Sequence, residues 1–375
     1  MKTIRIVAAD DSAVVRSLLA HMFAAQPADP HVRMELCAAA PDGASCLHAV
    51  RTLRPDVVLM DLHMPGVGGM EAIVRLRREW PRLPIIVCSS ATEDGAAETI
   101  EALGHGASDY VTKPTGQLDA EAAMVFLWTQ LAPRIIALAS RLSNRGNSSV
   151  SKVRRAVKRW QQIDVIGIGV STGGPAALER LLPELPEEFP VPVLVVQHMP
   201  KLFTSALAAR LDRCCALRVK QATAGAALDP GTIWIAPGDS HMEVKMGAHG
   251  TPYIVLHQGE PLHYCRPAVD VLFRSLAHTF RSGALGLVLT GMGADGLEGS
   301  RAIGAAGGLV LAQDEATSAV WGMPGRVVAA ALTDAVLPIG KLGEALIALA
   351  ATTGLHAAAT SQTQATRQEV RYGIY

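Results

Sequence analysis

Three residues that could form a hydrolytic site follow apolar runs in the second half of the chain. Ser171 lies in GVSTG, which has the Gly-x-Ser-x-Gly spacing of a nucleophile elbow. His198 follows the run VPVLVVQ, and Asp295 stands in a glycine-rich turn after the run LGLVL. A serine can attack a carbonyl when a histidine removes its proton and a carboxylate orients that histidine. These residue types predict nucleophilic catalysis if the fold brings them to one place.

The Ser171 segment is compatible with two other roles. A serine before a helix often caps it by accepting a backbone hydrogen bond. A glycine-rich turn after a strand can also bind a dinucleotide, but this requires G-x-G-x-x-G and an acid about twenty residues later. The segment GIGVST from Gly167 lacks the third glycine, and the next run ends in Gln197 and His198. A nucleotide site is therefore disfavoured, whereas the capping role stays open.

A second group of polar residues follows apolar runs in the first 113 residues. Asp10 and Asp11 follow IRIVAA, Asp61 follows VVLM, and Ser89 and Lys113 lie at the ends of two later runs. If the runs are parallel strands, these side chains converge at one edge of the sheet. Carboxylate oxygens are the ligands that Mg²⁺ prefers, and a carboxylate beside such an ion can attack a phosphoryl group. A hydroxyl and an ammonium group there could bind phosphoryl oxygens.

The elements that must position both groups are predicted from alternating patterns. Apolar runs of strand length alternate with helical patterns in both halves of the chain, which predicts βαβ units and parallel sheets. A helix is predicted near 118–142, after the first sheet. We predict a first domain over 1–125, a helix and basic linker over 126–160, a second α/β domain over 161–351 and a polar tail over 352–375.

The segment 141–160 contains seven Lys/Arg residues and no acid around a Ser/Asn/Gly centre. This composition favours a solvated hinge. A nucleic-acid patch is the weaker interpretation, because the segment has no interleaved aromatic residues and no helix-turn-helix pattern. The formal net charge of the whole chain is zero, which gives no indication of a polyanionic partner.

The cysteine and hydropathy patterns predict a cytoplasmic protein. The six cysteines form no C-x-x-C pair and lie mostly in apolar runs, as reduced, buried thiols do. No uninterrupted apolar run approaches the ~20 residues that cross a bilayer. The N-terminal MKTIRIVAAD reads as a first strand and not as a signal peptide. We therefore expect no insertion into the membrane.

The first domain resembles the receiver domain of two-component response regulators. The motifs DDSAVVR from Asp10, MDLHMP from Met60 and TKP from Thr112 carry this resemblance, which covers residues 1 to about 125. It implies a flavodoxin-like fold with a five-stranded parallel sheet and phosphorylation of Asp61 by a histidine kinase. The Mg²⁺ ligands that it implies are Asp10, Asp11, Asp61 and the backbone carbonyl of His63, and the conformational switch that it implies involves Ser89, Tyr110 and Lys113.

Five stretches of the second domain resemble the catalytic domain of the chemotaxis protein-glutamate methylesterases. They are GVSTGGP from Gly169, VQHMP from Val196, CRPAVDVLF from Cys265, LTGMGADG from Leu289 and QDEATSAVWGMP from Gln313. The resemblance implies a doubly wound, Rossmann-like α/β domain in which Ser171 is the nucleophile, His198 the general base and acid, and Asp295 the orienting acid. The order Ser, His, Asp differs from the Ser, Asp/Glu, His order of α/β-hydrolases, so the elbow spacing does not imply that fold.

Together the two resemblances imply hydrolysis of glutamate methyl esters on the cytoplasmic helices of chemoreceptors, with methanol released and phosphorylation as the activating signal. Mg²⁺ would serve the receiver, and the ester step would need no cofactor. We predict that backbone N–H groups of Thr172 and of Met292 bind the oxyanion. Some members of the family also deamidate glutamine, which these residues do not decide. The alternatives are a non-enzymatic response regulator and a nucleotide-binding oxidoreductase.

Overall fold

The computed structural model describes residues 2–26, 31–114, 119–143 and 162–351, with side chains described up to residue 140 in the third range. The predicted polar tail and most of the predicted basic linker lie outside these ranges. The chain divides into two compact units between residues 149 and 150.

The described part of the first unit is a parallel sheet with the strand order β2-β1-β3-β4-β5 and helices between the strands. Strands β3 and β4 are buried along their whole length, as parallel strands covered on both faces are. This order is that of the flavodoxin-like fold, which the sequence predicted. The elements are β1 (Lys2–Ala9), α1 (Ala13–Ala24), β2 (Val32–Ala40), α2 (Gly43–Leu53), β3 (Val57–Asp61), α3 (Gly69–Glu79), β4 (Ile85–Ser89), α4 (Glu93–Gly104), β5 (Asp109–Thr112) and α5 (Ala120–Ser143).

Helix α5 crosses the domain limit that we predicted at residue 125. Its apolar residues recur every three or four positions, and the side chains of Leu127, Leu131, Ile135 and Leu138 are buried. The helix packs on α1, β3 and β5, so it belongs to the first unit and not to the linker. By length and composition, Ala120–Ser140 could cross a membrane. Its buried side chains lie on one face, however, as they do in an amphipathic helix that covers a sheet of a folded domain.

The described part of the second unit contains a seven-stranded parallel sheet with the order β14-β13-β12-β6-β7-β9-β8 and an antiparallel hairpin of β10 and β11. This confirms the predicted α/β class. The elements are β6 (Val165–Val170), α6 (Gly174–Leu181), β7 (Val193–Gln197), α7 (Lys201–Asp212), β8 (Arg218–Gln221), β9 (Thr232–Ile235), β10 (His241–Met246), β11 (Pro252–His257), α8 (Val269–Phe280), β12 (Ala284–Val288), α9 (Leu297–Ala305), β13 (Leu309–Gln313), α10 (Met323–Ala329), β14 (Ala335–Leu337) and α11 (339–351).

Helix α8 lies directly against β6 because β6 carries a glycine at the contact. A Cβ atom at Gly169 would overlap the side chain of Val269, the first residue of α8. Val269 and the neighbouring core side chain of Phe273 are fully buried. Gly169 therefore belongs to the Gly-x-Ser-x-Gly pattern for a packing reason, since it lets the start of α8 approach the strand that ends before Ser171.

Candidate active site

The strand register of the second sheet places Ser171 beside His198. Val170 pairs with Gln197 across β6 and β7, so the next residue of each strand leaves the sheet at the same edge. The His198 N–H donates to the carbonyl of Val170 at 3.2 Å, and the Ser171 N–H donates to the carbonyl of Thr290 at 3.0 Å. The end of β12 thus borders the same point from the other side of β6.

The loop after Ser171 is not a serine-capped helix start. Helix α6 follows Gly173, whose φ of 76° is left-handed, and no described side chain caps the helix with a hydrogen bond. The carbonyl of Ser171 instead accepts the Gly174 N–H at 2.8 Å and the Nε2 amide of Gln197 at 3.0 Å. The capping role that the sequence left open is therefore not the one this serine has. Its hydroxyl stays available at the carboxyl edge of the sheet.

His198 and Asp295, which are 97 positions apart, form a buried pair. The His198 Nε2 atom lies 2.8 Å from Oδ2 of Asp295. The Asp295 side chain is 2% exposed and that of His198 is 12% exposed. This contact leaves Nδ1 as the ring nitrogen that can serve Ser171.

Asp295 is fixed by the start of helix α8. Its carboxylate accepts the N–H groups of Val269 at 2.6 Å, of Asp270 at 2.9 Å and of Gly296 at 2.9 Å. The residue before α8 is Ala268, which offers no capping side chain, so a carboxylate from a distant loop binds the first helical N–H groups. Asp295 therefore cannot turn away from His198 without leaving these donors unpaired.

The same contacts set the charges of the pair. Burial alone would raise the pKa of Asp295, but the hydrogen bonds from His198 and from the Asp270 and Val269 N–H groups outweigh it, so the pKa is lowered. Burial alone would lower the pKa of His198, but the hydrogen bond to Asp295, together with the neighbouring Cys265 side chain, raises it above its ordinary value. The ionised carboxylate thus favours the charged imidazolium, which is the form that a general base reaches during catalysis.

Ser171 lies between Thr172 and Gly291, the residue that precedes the second predicted oxyanion donor, Met292. Thr172 directly follows it, and its carbonyl accepts the Thr290 hydroxyl at 2.9 Å. On the other side, a Cβ atom at Gly291 would lie 2.8 Å from Cβ of Ser171. The Gly291 N–H is already used, since it donates to the carbonyl of Val320 at 3.0 Å. The assignment of the Thr172 and Met292 N–H groups stays a prediction.

Gly174 and Gln197 hold the loop in place, which sequence reasoning missed. A Cβ atom at Gly174 would overlap Oε1 of Gln197, a buried side chain whose Nε2 binds the carbonyl of Ser171. The second glycine of the GVSTGGP motif therefore makes room for the amide that fixes the serine backbone. The GVSTGGP motif could have indicated that Gly174 has a role, but it does not show that Gln197 is the residue it makes room for.

Replacement of Gly174 by alanine is expected to lower kcat for the ester hydrolysis that the sequence predicts by about 10²-fold, because a small displacement of a nucleophile has an effect of that size. The overlap with Gln197 must move the amide and with it the Ser171 backbone. The measurement is methanol release by the variant and by a Gly304→Ala control. A Cβ atom at Gly304 meets nothing within 4 Å. Equal rates for the two variants would refute this role of Gln197.

One cluster in this unit, formed by His263, Asp270 and Asp295, has ligand atoms close enough to one another to hold a metal ion. Three of the four carboxylate oxygens already accept backbone N–H groups, however. Asp270 accepts the Gly299 N–H at 2.6 Å, and its other oxygen lies 3.2 Å from Nε2 of His263. We assign this group to the support of Asp295 and not to metal binding.

In the first unit, the predicted acidic group also assembles at one sheet edge. Ala9 pairs with Met60, so Asp10 and Asp61 leave the sheet side by side. The Lys113 Nζ atom lies 2.8 Å from Asp10 and 2.9 Å from Asp61. Burial raises the pKa of Asp61 more strongly than the bond to Lys113 lowers it. Oxygens of Asp10, Asp11 and Asp61 lie within 4.8 Å of one another, a spacing that one hard cation can bridge.

The predicted switch residues lie around this group. The Ser89 hydroxyl is directed to the carbonyls of Ser90 at 3.1 Å and Gly95 at 3.0 Å, near the start of α4, and not toward Asp61. It must rotate to bind a phosphoryl group. The Tyr110 ring is buried, which raises the pKa of its phenol. The His63 imidazole pairs with Glu98 of α4 at 2.9 Å. Sequence reasoning missed this contact, because Glu98 lies in none of the motifs that indicated the site.

Comparison with known proteins assigns a different family to each of the two compact units. Residues 166–346 match the CheB methylesterase family, and residues 6–124 match the response regulator receiver domain. A protein-glutamate methylesterase/protein-glutamine glutaminase from Nocardioides sp. is 44% identical over 356 residues, which cover 92% of this chain and 95% of that protein. The chain belongs to the protein-glutamate methylesterase/protein-glutamine glutaminase family.

Other members of this methylesterase/glutaminase family show similar coverage. The protein of that name from Trichodesmium erythraeum is 38% identical over 354 residues, which cover 92% of this chain and 99% of the relative. Among solved structures, the Thermotoga maritima CheB methylesterase catalytic domain is 41% identical, with a TM-score of 0.49, and covers 50% of this chain and 99% of that one. Membership of the family confirms the predicted enzyme class and the receiver domain. It leaves the two alternatives, a non-enzymatic regulator and an oxidoreductase, without support.

Proposed function

We propose that this chain hydrolyses γ-glutamyl methyl esters on the cytoplasmic helices of chemoreceptors and releases methanol. Ser171, His198 and Asp295 form its catalytic triad. The observation that supports this best is the 2.8 Å pairing of His198 with an immobilised Asp295, next to the strand end that carries Ser171. The relatives are protein-glutamate methylesterases/protein-glutamine glutaminases, which supports a protein glutamate ester as the substrate. A cytoplasmic location follows from the location of those helices.

In this reaction, Nδ1 of His198 removes the Ser171 proton while the serine oxygen attacks the ester carbonyl. The negative charge that develops on the carbonyl oxygen is bound by the N–H groups of Thr172 and Met292. The imidazolium, stabilised by Asp295, then protonates the leaving methoxide, and methanol departs. Water activated by the same histidine hydrolyses the acyl-serine ester. The product is a glutamate carboxylate.

The same residues can act on an amide. We propose that the chain also deamidates receptor glutamines, as the second half of the relatives' name indicates for those proteins. The imidazolium would then protonate the leaving nitrogen, and ammonia would replace methanol as the product. No additional residue is required, because both reactions pass through a tetrahedral oxyanion at the same serine.

The receiver is proposed to control this activity through phosphorylation of Asp61 by a histidine kinase. The converging oxygens of the acidic group fit Mg²⁺, with Asp10, Asp11, Asp61 and the His63 carbonyl as ligands. When bound, such an ion neutralises phosphoryl charge. Lys113 would exchange its two carboxylate contacts for the phosphoryl oxygens. We propose that phosphorylation shifts the receiver to a form that no longer restrains the catalytic domain.

A small phosphodonor with Mg²⁺ is expected to raise methanol release from methyl-esterified receptor by the full chain about 5- to 150-fold, the usual range of coupling between two sites. Asp61→Asn is expected to abolish this response, because the acceptor oxygen is lost. Asp56→Asn is the matched control, since Asp56 lies at the amino end of β3, where it accepts the Arg5 N–H at 2.7 Å. An Asp61→Asn enzyme that still responded would exclude Asp61 as the acceptor. No methanol from the wild type under either condition would refute the proposed function.

A further inference from the structure

A tight turn between β11 and α8 has an unusual backbone. Leu262 and Cys265 exchange both of their backbone hydrogen bonds, at 3.0 and 2.9 Å. The two residues between them, His263 and Tyr264, have φ values of 52° and 62°. Two successive positive φ values define a type I′ turn, which normally uses Asn or Gly. A histidine and a tyrosine persist here only if their surroundings hold them.

The surroundings do hold this turn at several points. The buried His241 ring accepts the Ala268 N–H on Nδ1 at 3.2 Å, so its Nε2 carries the proton and donates to the Glu260 carbonyl at 3.0 Å. Arg266 donates to the Gly259 carbonyl at 3.0 Å and pairs with Asp239. One buried histidine and one arginine thus each connect the two ends of the loop.

The residues on each side of Tyr264 connect the turn to the triad. His263 lies 3.2 Å from the buried carboxylate of Asp270, and the Asp270 N–H donates to Asp295 at 2.9 Å. On the other side, Cys265 lies close enough to His198 to contribute to the raised pKa of its ring. Tyr264 is therefore held between two residues that connect to the acid and to the base of the triad.

Tyr264 itself is fully exposed, at 104% of the reference area, and it is the most exposed of the large hydrophobic side chains in the described part of the chain. A tyrosine on a rigid backbone binds a partner at low entropic cost, and tyrosine is enriched among residues that dominate interface energies. Among the described residues of its own unit, none accounts for placing a ring in water near the candidate site. A partner that covers it would account for this.

We propose that Tyr264 is a specificity-determining residue that packs against an apolar side chain of the receptor helix, close to the esterified glutamate. This rests on the proposed function, which supplies an α-helical substrate. Side chains one turn from the ester lie on the same helix face, within about 5–6 Å of it. Because its neighbour His263 contacts Asp270, which in turn binds Asp295, the exposed ring of Tyr264 is close enough to the site to meet such a neighbour when the ester reaches Ser171.

The test compares Tyr264→Gly, Tyr264→Phe and the wild type on two substrates, a methylated receptor fragment and a small glutamyl methyl ester, with the full chain activated by a phosphodonor. Glycine suits the positive φ, so Tyr264→Gly removes the ring and keeps the turn. For this variant, the ratio of kcat/KM on receptor to kcat/KM on the small ester is expected to fall about tenfold, mainly through KM. Tyr264→Phe is expected to stay within about twofold of the wild type, because the apolar ring remains. Met246→Ala, at another exposed hydrophobic position, is the matched control.

The outcomes separate this inference from the proposed function. If the wild type releases no methanol from the receptor fragment, the proposed function fails. If the wild type is active and Tyr264→Gly keeps the wild-type ratio, only the role of Tyr264 is refuted. A Tyr264→Gly enzyme whose unphosphorylated activity rises while its KM for receptor is unchanged would also refute it, because the ring would then act in restraint and not in substrate selection.

Discussion

Ser171→Ala is expected to lower kcat for methanol release by about 10⁶-fold, because loss of the nucleophile in a serine triad has an effect of that size. The variant is expected to fold normally, since the hydrogen bonds of Ser171 described above use its backbone and not its hydroxyl. Methanol release from methyl-esterified receptor by the phosphodonor-activated chain measures the effect. Circular dichroism and the thermal unfolding midpoint establish that the variant is folded.

Ser300→Ala is the matched control for this substitution. Ser300 is fully buried in α9, and its hydroxyl has no hydrogen-bond partner in the described part of the chain. The control therefore removes the same group from the same unit without touching the proposed site. Ser171→Ala activity within about tenfold of the Ser300→Ala activity would exclude a serine nucleophile, since it exceeds what oxyanion stabilisation alone supplies.

Asp295→Asn is expected to lower kcat by about 10⁴-fold, the effect of losing the orienting acid while the geometry is kept. The amide cannot stabilise the imidazolium. Asp334→Asn is the control, because the Asp334 carboxylate also accepts a backbone N–H, that of Val310 at 2.8 Å, at a different part of the same sheet. If Asp295→Asn lost no more activity than Asp334→Asn, the triad assignment would be wrong.

The pH dependence of the same pair gives an independent readout. Contacts with Asp295 and Cys265 raise the pKa of His198, so the neutral, proton-accepting form is the minor one below that pKa. The rate in the wild type is therefore expected to rise with pH, with a midpoint above the ordinary histidine value of 6.5. Without the carboxylate, the midpoint of the residual activity in Asp295→Asn shifts to lower pH. An unchanged midpoint would show that another group controls the rate.

The class of each unit and the place of the candidate residues were predictable because parallel strands deliver their carboxyl ends to one edge. Asp10, Asp61 and Lys113 each lie at the end of a strand. In the structure, the Lys113 Nζ atom lies 2.8 Å from the carboxylate of Asp10 and 2.9 Å from that of Asp61. Ser171 and His198 follow paired strands in the same way. For such residues, alternation of apolar runs is enough to predict a common location.

Contacts that depend on loop shape and helix placement were not predictable. Asp270 and Cys265 lie in a motif that was noted, yet their contacts with the triad depend on how α8 meets Asp295. The limit at residue 125 fell inside α5, because the sequence shows that the helix is amphipathic but not which sheet it covers. The direction of the Ser89 hydroxyl is a rotamer, which residue type does not determine.

The start of α8 links catalytic competence to the cooperativity of folding. The amides of Val269 and Asp270 that orient the catalytic carboxylate belong to a helix whose first residues are packed against β6 at Gly169. These amides can open only when the hydrophobic core opens, so the acid of the triad has no low-energy route to local disorder. Below the melting transition, no loss of activity through fraying at this point is therefore expected. Disorder of the proposed catalytic acid is therefore expected to coincide with unfolding of the second unit.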